Sequence, residues 1–394
     1  MRRDSGLDAA LAIVGPIVAD VRDRGDAALL EWTERFDGAR PAGFRVSPDE
    51  IAAAEVSPVE LAALRRMIAA VRAFSEVQRP ADTSVEAVSG VIAERRWLPL
   101  ASVGVCVPSG RAPLPSSLVM TAVPALVAGV TRIAVVTPRP VAATLVVARE
   151  LGLDEVYAVG GAQAVAALAY GTESIPAVDK IVGPGSVYVT AAKLLVSATV
   201  GIDLPAGPSE VVVIADASAD PAVCAADLLA QAEHGADSIA LLLTDDPTLS
   251  DAVFTLVSGY DNTMFANIKV ALVESLAAAL ARSEAFAPEH LELLVADPEP
   301  LLARVRNAGT GFVGTSAVVG DYAAGATHVL PTGGLARSAG GLGLESFLRP
   351  MQVVRASADG LAVAREIIGP IALLEGLPLH AAALEPGLAE IARG

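Results

Sequence analysis

Apolar residues recur at helical spacing over 7–24, 26–36, 48–55 and 58–77, which predicts a mainly helical first hundred residues. Asp37-Gly38 and Pro41-Ala-Gly43 punctuate these helices. From Val103 the period changes. Short apolar runs at 103–107, 132–136, 155–159 and 180–182 predict strands, with helices near 117–129, 142–151, 162–170 and 186–199. Strands alternating with helices are the signature of a parallel, doubly wound sheet. A second series follows, with strands at 211–215, 238–243, 268–273, 291–295 and 311–313 and helices at 220–232, 247–257, 275–284 and 299–308. The boundary between the two series falls near Ser209. After Gly343 the pattern reduces to a short strand at 351–355 and helices to the end.

The expected fold is therefore α/β: two Rossmann-like doubly wound domains, a helical N-terminal part and a small C-terminal helical tail. A length of 394 residues suits two domains, and an apolar content of 53% supports a large core with well-buried sheets. The longest apolar run, 117–130, contains Pro124 and is soon followed by Arg132, so it falls short of the roughly 20 residues that a membrane span needs. Arg2 and Arg3 ahead of an apolar run faintly resemble a secretion signal. Asp4, Asp8, Pro16 and Asp20 interrupt that pattern and fit an amphipathic helix better. A net charge of −17 argues against nucleic acid as a partner, since no basic surface is available to displace counterions from phosphates. Two cysteines, Cys106 and Cys224, make no disulfide framework and suit a reducing cytoplasm.

Chemistry is concentrated in a few places. Gly309-Thr-Gly-Phe-Val-Gly314 has the spacing of a dinucleotide loop but the reverse context, with a helix before it and a strand running through it. It is set aside on that ground. Gly183-Pro-Gly-Ser-Val-Tyr188 and Gly160-Gly-Ala-Gln-Ala164 have the right order, strand then glycine turn then helix, although tight turns of this kind use glycine anyway. In the helix ending near Gly235, Gln231 and His234 stand three residues apart and point the same way. Alone, such a pair is more often hydrogen-bonded than metal-binding. There are, however, only four histidines, His234, His290, His328 and His380, and each has a potential partner nearby in sequence: Gln231, Glu289, Asp321 and Glu375. Jointly they favour one shared site of ligands and proton carriers. Imidazoles with a carboxylate and an amide oxygen suit Zn²⁺. Adjacent Glu289 and His290 diverge in any regular structure, so they serve separate proton transfers better than joint chelation.

These residues resemble the histidinol dehydrogenase family, zinc- and NAD-dependent enzymes of histidine biosynthesis. The resemblance runs from about Gly25-Asp-Ala-Ala-Leu29 to His380, with its most specific blocks at Gly160-Gly-Ala-Gln-Ala164, 178–185, 203–210, 227–237, Pro288-Glu-His290 and 320–332. It implies that Gln231, His234 and Asp321 bind zinc, with His380 as a fourth ligand reaching in from the other subunit of a homodimer. Glu289 and His290 match the catalytic pair. Ser209, His328 and Glu375 match substrate-contacting positions, to which the zinc-side residues and His290 add, and Gln163 matches a position that touches NAD. The implied organisation is a discontinuous first domain, 1–105 with 210–342, carrying the zinc and catalytic residues, a cofactor-side domain, 106–209, and a dimerisation tail, 343–394.

Four positions depart from the family pattern. Cys106 stands in Cys106-Val-Pro-Ser-Gly110 where the family usually has a cofactor-facing Tyr, and Ser186 where it has Asn, also at the cofactor. Ala317 replaces a Glu and Thr327 an Asn. The segment between Thr244 and Ala287 is also shorter than is usual. The expected reaction is oxidation of L-histidinol to L-histidine through the aldehyde in the cytoplasm, with Zn²⁺ and NAD and with no nucleic acid or membrane partner. The departures keep open a paralogue oxidising another small alcohol. A zinc hydrolase would use the same ligands to activate water without NAD, and the glycine turns at 160 and 183 weigh against it.

Overall fold

The computed structural model describes residues 6–38, 40–109, 113–205, 207–260 and 267–384. Arg2, Arg3, Asp4, Gly110 and Ala206, which belong to the segments read above, lie outside these ranges. The chain divides into two compact units, one of 1–78 with 100–347 and one of 79–99 with 348–394. Its strands are β1 (Thr83–Val88), β2 (Val91–Pro99), β3 (Ser102–Cys106), β4 (Arg132–Val136), β5 (Val156–Tyr157), β6 (Lys180–Val182), β7 (Gly201–Ile202), β8 (Glu210–Ala215), β9 (Ile239–Thr244), β10 (Ile268–Leu272), β11 (His290–Leu294), β12 (Thr310–Val313) and β13 (Leu348–Ala356).

The first unit holds two parallel sheets, ordered β5-β4-β3-β6-β7 and β10-β9-β8-β11-β12. Both share one winding. The chain lays two strands to one side of its first strand and then returns to the other side, so the winding reverses between β3 and β6 and again between β8 and β11. These are the two doubly wound sheets that the alternation of strands and helices predicts. In β8 every residue of Glu-Val-Val-Val-Ile-Ala is buried, which suits a β-branched run covered on both faces. Val211, Val213 and Ala215 pack with Leu228, Leu242 and Val253 on one face, and Val212 and Ile214 pack with Leu280, Leu291 and Leu301 on the other. The first sheet is covered differently. Helix Leu7–Arg24 lays Val14, Ile17, Val18 and Val21 against helices Gly161–Tyr170 and Val187–Val196. Full burial of one such side chain contributes roughly 1.5–3 kcal/mol, so a charged residue at Val14 would strip this helix from the core.

In the second unit β1, β2 and β13 form an antiparallel sheet, joined by helices Ala358–Leu374 and Pro378–Ala382. The sequence predicts no strand between Val77 and Val103. The cause is physical: β1 is exposed along nearly its whole length and β2 has no fully buried residue, so neither carries an apolar period. Strand β13 is also longer than the expected 351–355, and as an edge strand it accommodates Pro350. The helix expected over 299–308 stops at Leu302 after one turn. Among the described residues no helix is long and apolar enough to cross a membrane.

Candidate active site

Helix Pro221–Ala232 starts on Asp220, whose carboxylate accepts the Ala222 N–H at 2.8 Å, with Pro221 in the first turn. It connects β8 to the parallel β9, so its far end returns to the edge where the strands begin. There the chain tightens: His234 N–H donates to the Gln231 carbonyl at 3.3 Å, and Gly235 N–H to that of Ala232 at 3.2 Å. Gly235 has φ 134°, a backbone that only glycine adopts freely. His234 thus lies just past the helix, beside Gln231. His290 opens β11 and Glu210 opens β8 at the same edge. The candidate residues therefore gather at the amino ends of the strands, opposite to the usual ligand crevice of an open α/β sheet.

Gln231, His234, His290 and Asp321 line one cavity of about 20 Å³, together with Asp227, Glu292 and Ser316. That volume admits about one water-sized body. Burial, then the neighbouring His234 and His328, pushes the His290 pKa down to about 3, so its imidazole is neutral at pH 7. Its ring meets the Phe312 ring edge-on with centroids 5.6 Å apart. His328 is likewise lowered to about 4, by burial first; a hydrogen bond to the Asp321 backbone opposes the shift and His234 adds to it. His328 Nε2 also lies 3.4 Å from Ser117 Oγ. Ser117 belongs to helix Pro115–Ala128, which follows β3, so the amino edge of the second sheet meets the carboxyl edge of the first at His328.

Three carboxyls of the site have displaced pKa values. Burial, and then the Asp321 carboxylate, raises Glu289 well above the ordinary range, while its Oε2 accepts the Glu210 N–H at 2.9 Å. Asp321 itself is raised by burial and lowered by His234. Glu292, absent from the residues expected above, is fully buried; burial and the Asp227 carboxylate push it up to about 8. Its Oε1 accepts the Ala317 N–H at 2.6 Å, and Ser316 Oγ donates to Asp227 Oδ1 at 2.5 Å. These bonds tie together the helix bearing Gln231, the strand bearing His290 and the helix Ala317–Tyr322 bearing Asp321. One signal for Glu292 was available: two residues after His290 on a strand, its side chain faces the same way. Ser316 and Asp227 carry no such signal, because 89 residues separate them.

Gln231 Nε2, Asp227 Oδ2, Glu292 Oε2 and His290 Nδ1 are buried with no hydrogen-bond partner. The imidazole nitrogen and carboxylate oxygens among these, around a space of ionic size, fit a divalent ion such as Zn²⁺. The Gln231 Nε2 is a hydrogen-bond donor and takes no part in that fit, so Gln231 would offer its Oε1 to a metal. Among the described residues, no three of His, Cys, Asp and Glu gather closely enough to hold a metal alone. Ser209 is half-buried directly before β8, its carbonyl accepting the Ile239 N–H at 3.0 Å. Glu375 and His380 belong to the second unit, at the end of helix Ala358–Leu374 and in helix Pro378–Ala382, and both are exposed.

The residues expected to face a dinucleotide stand at the carboxyl edge of the first sheet. Buried Cys106 ends β3, Gln163 lies in the first turn of helix Gly161–Tyr170, and Ser186 precedes helix Val187–Val196 without capping it through its side chain. Gln163 is 2% exposed and its Oε1 has no partner. A Cβ on Gly183, at φ 108°, would press on the Cys106 carbonyl. Close glycine backbone, an orphan amide and an open helix start fit a dinucleotide. Gly309–Gly314 has no such setting, since β12 occupies it and a Cβ on Gly309 would meet the Glu289 carbonyl. A larger cavity of about 470 Å³, within the usual span of small-molecule sites, is lined by Gln78, Thr310, Thr327, Leu330 and Glu345 among others. Thr310 is the strand partner of His290, and Thr327 precedes His328.

A family model described as histidinol dehydrogenase matches residues 1–386. The chain is 43% identical to the histidinol dehydrogenase of Methanosarcina barkeri, covering 98% of this chain and 93% of that protein. To the histidinol dehydrogenase of Rhizobium meliloti it is 46% identical, over 94% of this chain and 90% of that one. The crystal structure of histidinol dehydrogenase from Elizabethkingia anophelis is similar throughout, with a TM-score of 0.91 at 34% identity, covering 99% of this chain and 97% of that one.

Proposed function

The chain belongs to the histidinol dehydrogenase family, and from that premise we propose that it oxidises L-histidinol to L-histidine through the aldehyde, with NAD as acceptor and Zn²⁺ at the site. The enzyme class is that of a dehydrogenase in histidine biosynthesis. The observation that carries the finer reading is the convergence of Gln231, His234, His290 and Asp321 on one ion-sized cavity at the amino edge of the second sheet.

Gln231, His234 and Asp321 would hold the zinc, with His380 of a second subunit as fourth ligand and Glu375 beside it. Bound zinc would anchor the substrate's imidazole and amine and so act chiefly as a template. His290, neutral near pH 7, would accept the alcohol proton, and NAD, when bound, would supply the acceptor for the substrate's C–H hydride. Glu289, held by the Glu210 N–H, takes a proton from the water that adds to the aldehyde. Loss of a hydride from the hydrate anion that this leaves would give the carboxylic acid, so the two oxidations would consume two NAD. Ser209 and His328 would steady the substrate; Cys106, Gln163 and Ser186 would face the cofactor in the half formed by 106–209. A homodimer fits the second unit, where Ile367, Ile371, Leu373, Leu374, Leu377 and Leu379 are exposed. Two buried free cysteines suit the reducing cytoplasm as its location.

A steady-state assay of zinc-loaded protein with L-histidinol tests the reading. Two NADH per substrate consumed is the expected stoichiometry. Turnover of a different small alcohol, with none of histidinol, would assign the chain to a paralogous activity.

A further inference from the structure

The carboxyl edge of the first sheet holds an ion pair that the proposed reaction does not use. Lys193 Nζ lies 2.6 Å from Asp203 Oδ1, and both side chains are 3% exposed. Burying two charges is costly, and a pair of apolar side chains often serves stability equally well. What this pair does besides attract is specific: both members bind the same residue. Lys193 Nζ donates to the Gly183 carbonyl at 2.5 Å, and Asp203 Oδ2 accepts the Gly183 N–H at 2.7 Å. Gly183 is buried at φ 108°, against the Cys106 carbonyl. The left-handed conformation turns its two polar groups away from the ladder of β6, and the charges satisfy them there.

The three groups come from three elements. Gly183 leaves β6, Lys193 lies in helix Val187–Val196, and Asp203 follows β7, where its own N–H donates to the Ile181 carbonyl at 3.1 Å. Asp203 is thus anchored to the sheet and Lys193 to the helix, with Gly183 clamped between them. The segment fixed in this way, 183–186, runs from Cys106 to the open start of that helix, and the orphan amide of Gln163 belongs to the same sheet edge.

We propose that Lys193 and Asp203 are positioning residues for the dinucleotide: as a buried ion pair gripping both polar groups of Gly183, they set the 183–186 turn and the helix behind it in the arrangement that receives NAD. The assignment rests on the NAD reading above. It separates from a plain structural role because, among the described residues, the side-chain bonds of the pair go to Gly183 and to each other and none to Gln231, His234 or Asp321, so its effect should fall on NAD more than on the other ligand.

The test compares the parent protein with Lys193→Met/Asp203→Leu, which removes both charges without stranding either, and with Asp203→Asn, which keeps an acceptor for the Gly183 N–H. NAD and L-histidinol binding are measured separately by calorimetry, with bound zinc and melting temperature for each protein. The expected result is a rise in the NAD dissociation constant of about tenfold or more in the double variant, the order of effect typical when a supporting group is lost. Asp203→Asn should rise less, and histidinol affinity and zinc content should stay at parent values. A folded double variant with parental NAD affinity overturns the assignment, whatever its melting temperature. So does equal weakening of NAD and histidinol, which marks a general loosening. Should the double variant fail to fold, parental NAD affinity in Asp203→Asn together with an unchanged KM for NAD decides against it. If the parent itself binds no NAD, the dinucleotide reading falls and this assignment falls with it.

Discussion

The backbone N–H of Glu210 donates to Glu289 Oε2 at 2.9 Å, so the first residue of β8 orients the carboxyl that stands directly before β11. These strands are neighbours in the sheet, and the winding reverses between them. Glu289 is held by rigid backbone rather than by a mobile side chain. The bond favours the ionised form while burial and Asp321 disfavour it, and a carboxylate held in that tension is a stronger base once ionised.

Glu289→Gln keeps an oxygen for the Glu210 N–H and should therefore fold as the parent does. Its amide cannot take a proton from water. Oxidation of the aldehyde should fall by about 10² to 10⁴, the usual contribution of a general base, with bound zinc unchanged. Single-turnover assays that start from alcohol and from aldehyde check this. Equal losses in both half-reactions would contradict a role confined to water.

His290→Ala should lose a similar factor, about 10² to 10⁴, in the alcohol step. The burial that holds the parent imidazole neutral leaves no charge to be missed when the ring is removed, so melting temperature should change little beyond the lost packing on Phe312. Parental turnover in this variant would remove His290 from the mechanism.

Zinc retention should depend on Gln231 and Asp321 as much as on His234. Gln231→Ala and Asp321→Ala are expected to come through dialysis with far less than one zinc per chain by elemental analysis, and chelation of the parent should abolish activity that added zinc restores. Full zinc occupancy in Gln231→Ala would show that its unpartnered amide serves something else.

Both thiols should be silent in the native protein. Burial is the first cause that raises Cys106 to about 11 and Cys224 to about 12, so each stays protonated at pH 8, and neither is open to reagent. A disulfide reagent at pH 8 should titrate no thiol before unfolding and two after it. A fast-reacting thiol in the folded enzyme would mean that the sheet edge bearing Cys106 or the helix bearing Cys224 opens readily.

The two parallel sheets were legible because their strands are apolar runs with both faces covered, as in β8, and because a helix follows nearly every strand. The antiparallel sheet of the second unit was not, since β1 has no buried face to give it a period. The site divides in the same way. Gln231 with His234, and Glu289 with His290, are neighbours in sequence and could be read as pairs. The Glu210 bond to Glu289 spans 79 residues and the Ser316 bond to Asp227 spans 89, so no local spacing marks them. Lys193 and Asp203 are ten apart, but across a helix end and a strand, where no periodicity links them.

Glu292 gives the pH dependence with the most definite sign. Its folded pKa is raised to about 8, by burial first and then by Asp227, from an ordinary value of 4.5. A carboxyl shifted upward binds more protons in the native state than in the unfolded one, so its contribution is fully present below about pH 4.5 and is lost as pH rises towards 8. Glutamine at this position is neutral at every pH and can still accept the Ala317 N–H. Metal-free Glu292→Gln should therefore gain stability relative to the parent as pH rises from 5 to 8, and thermal melts of both proteins across that range read the difference directly. Zinc should shrink the trend, because a nearby cation favours the ionised carboxylate that burial alone disfavours. A constant gap between the two proteins from pH 5 to 8 would mean that Glu292 is ionised in the native state as it is in the unfolded one, and that its pKa is not raised.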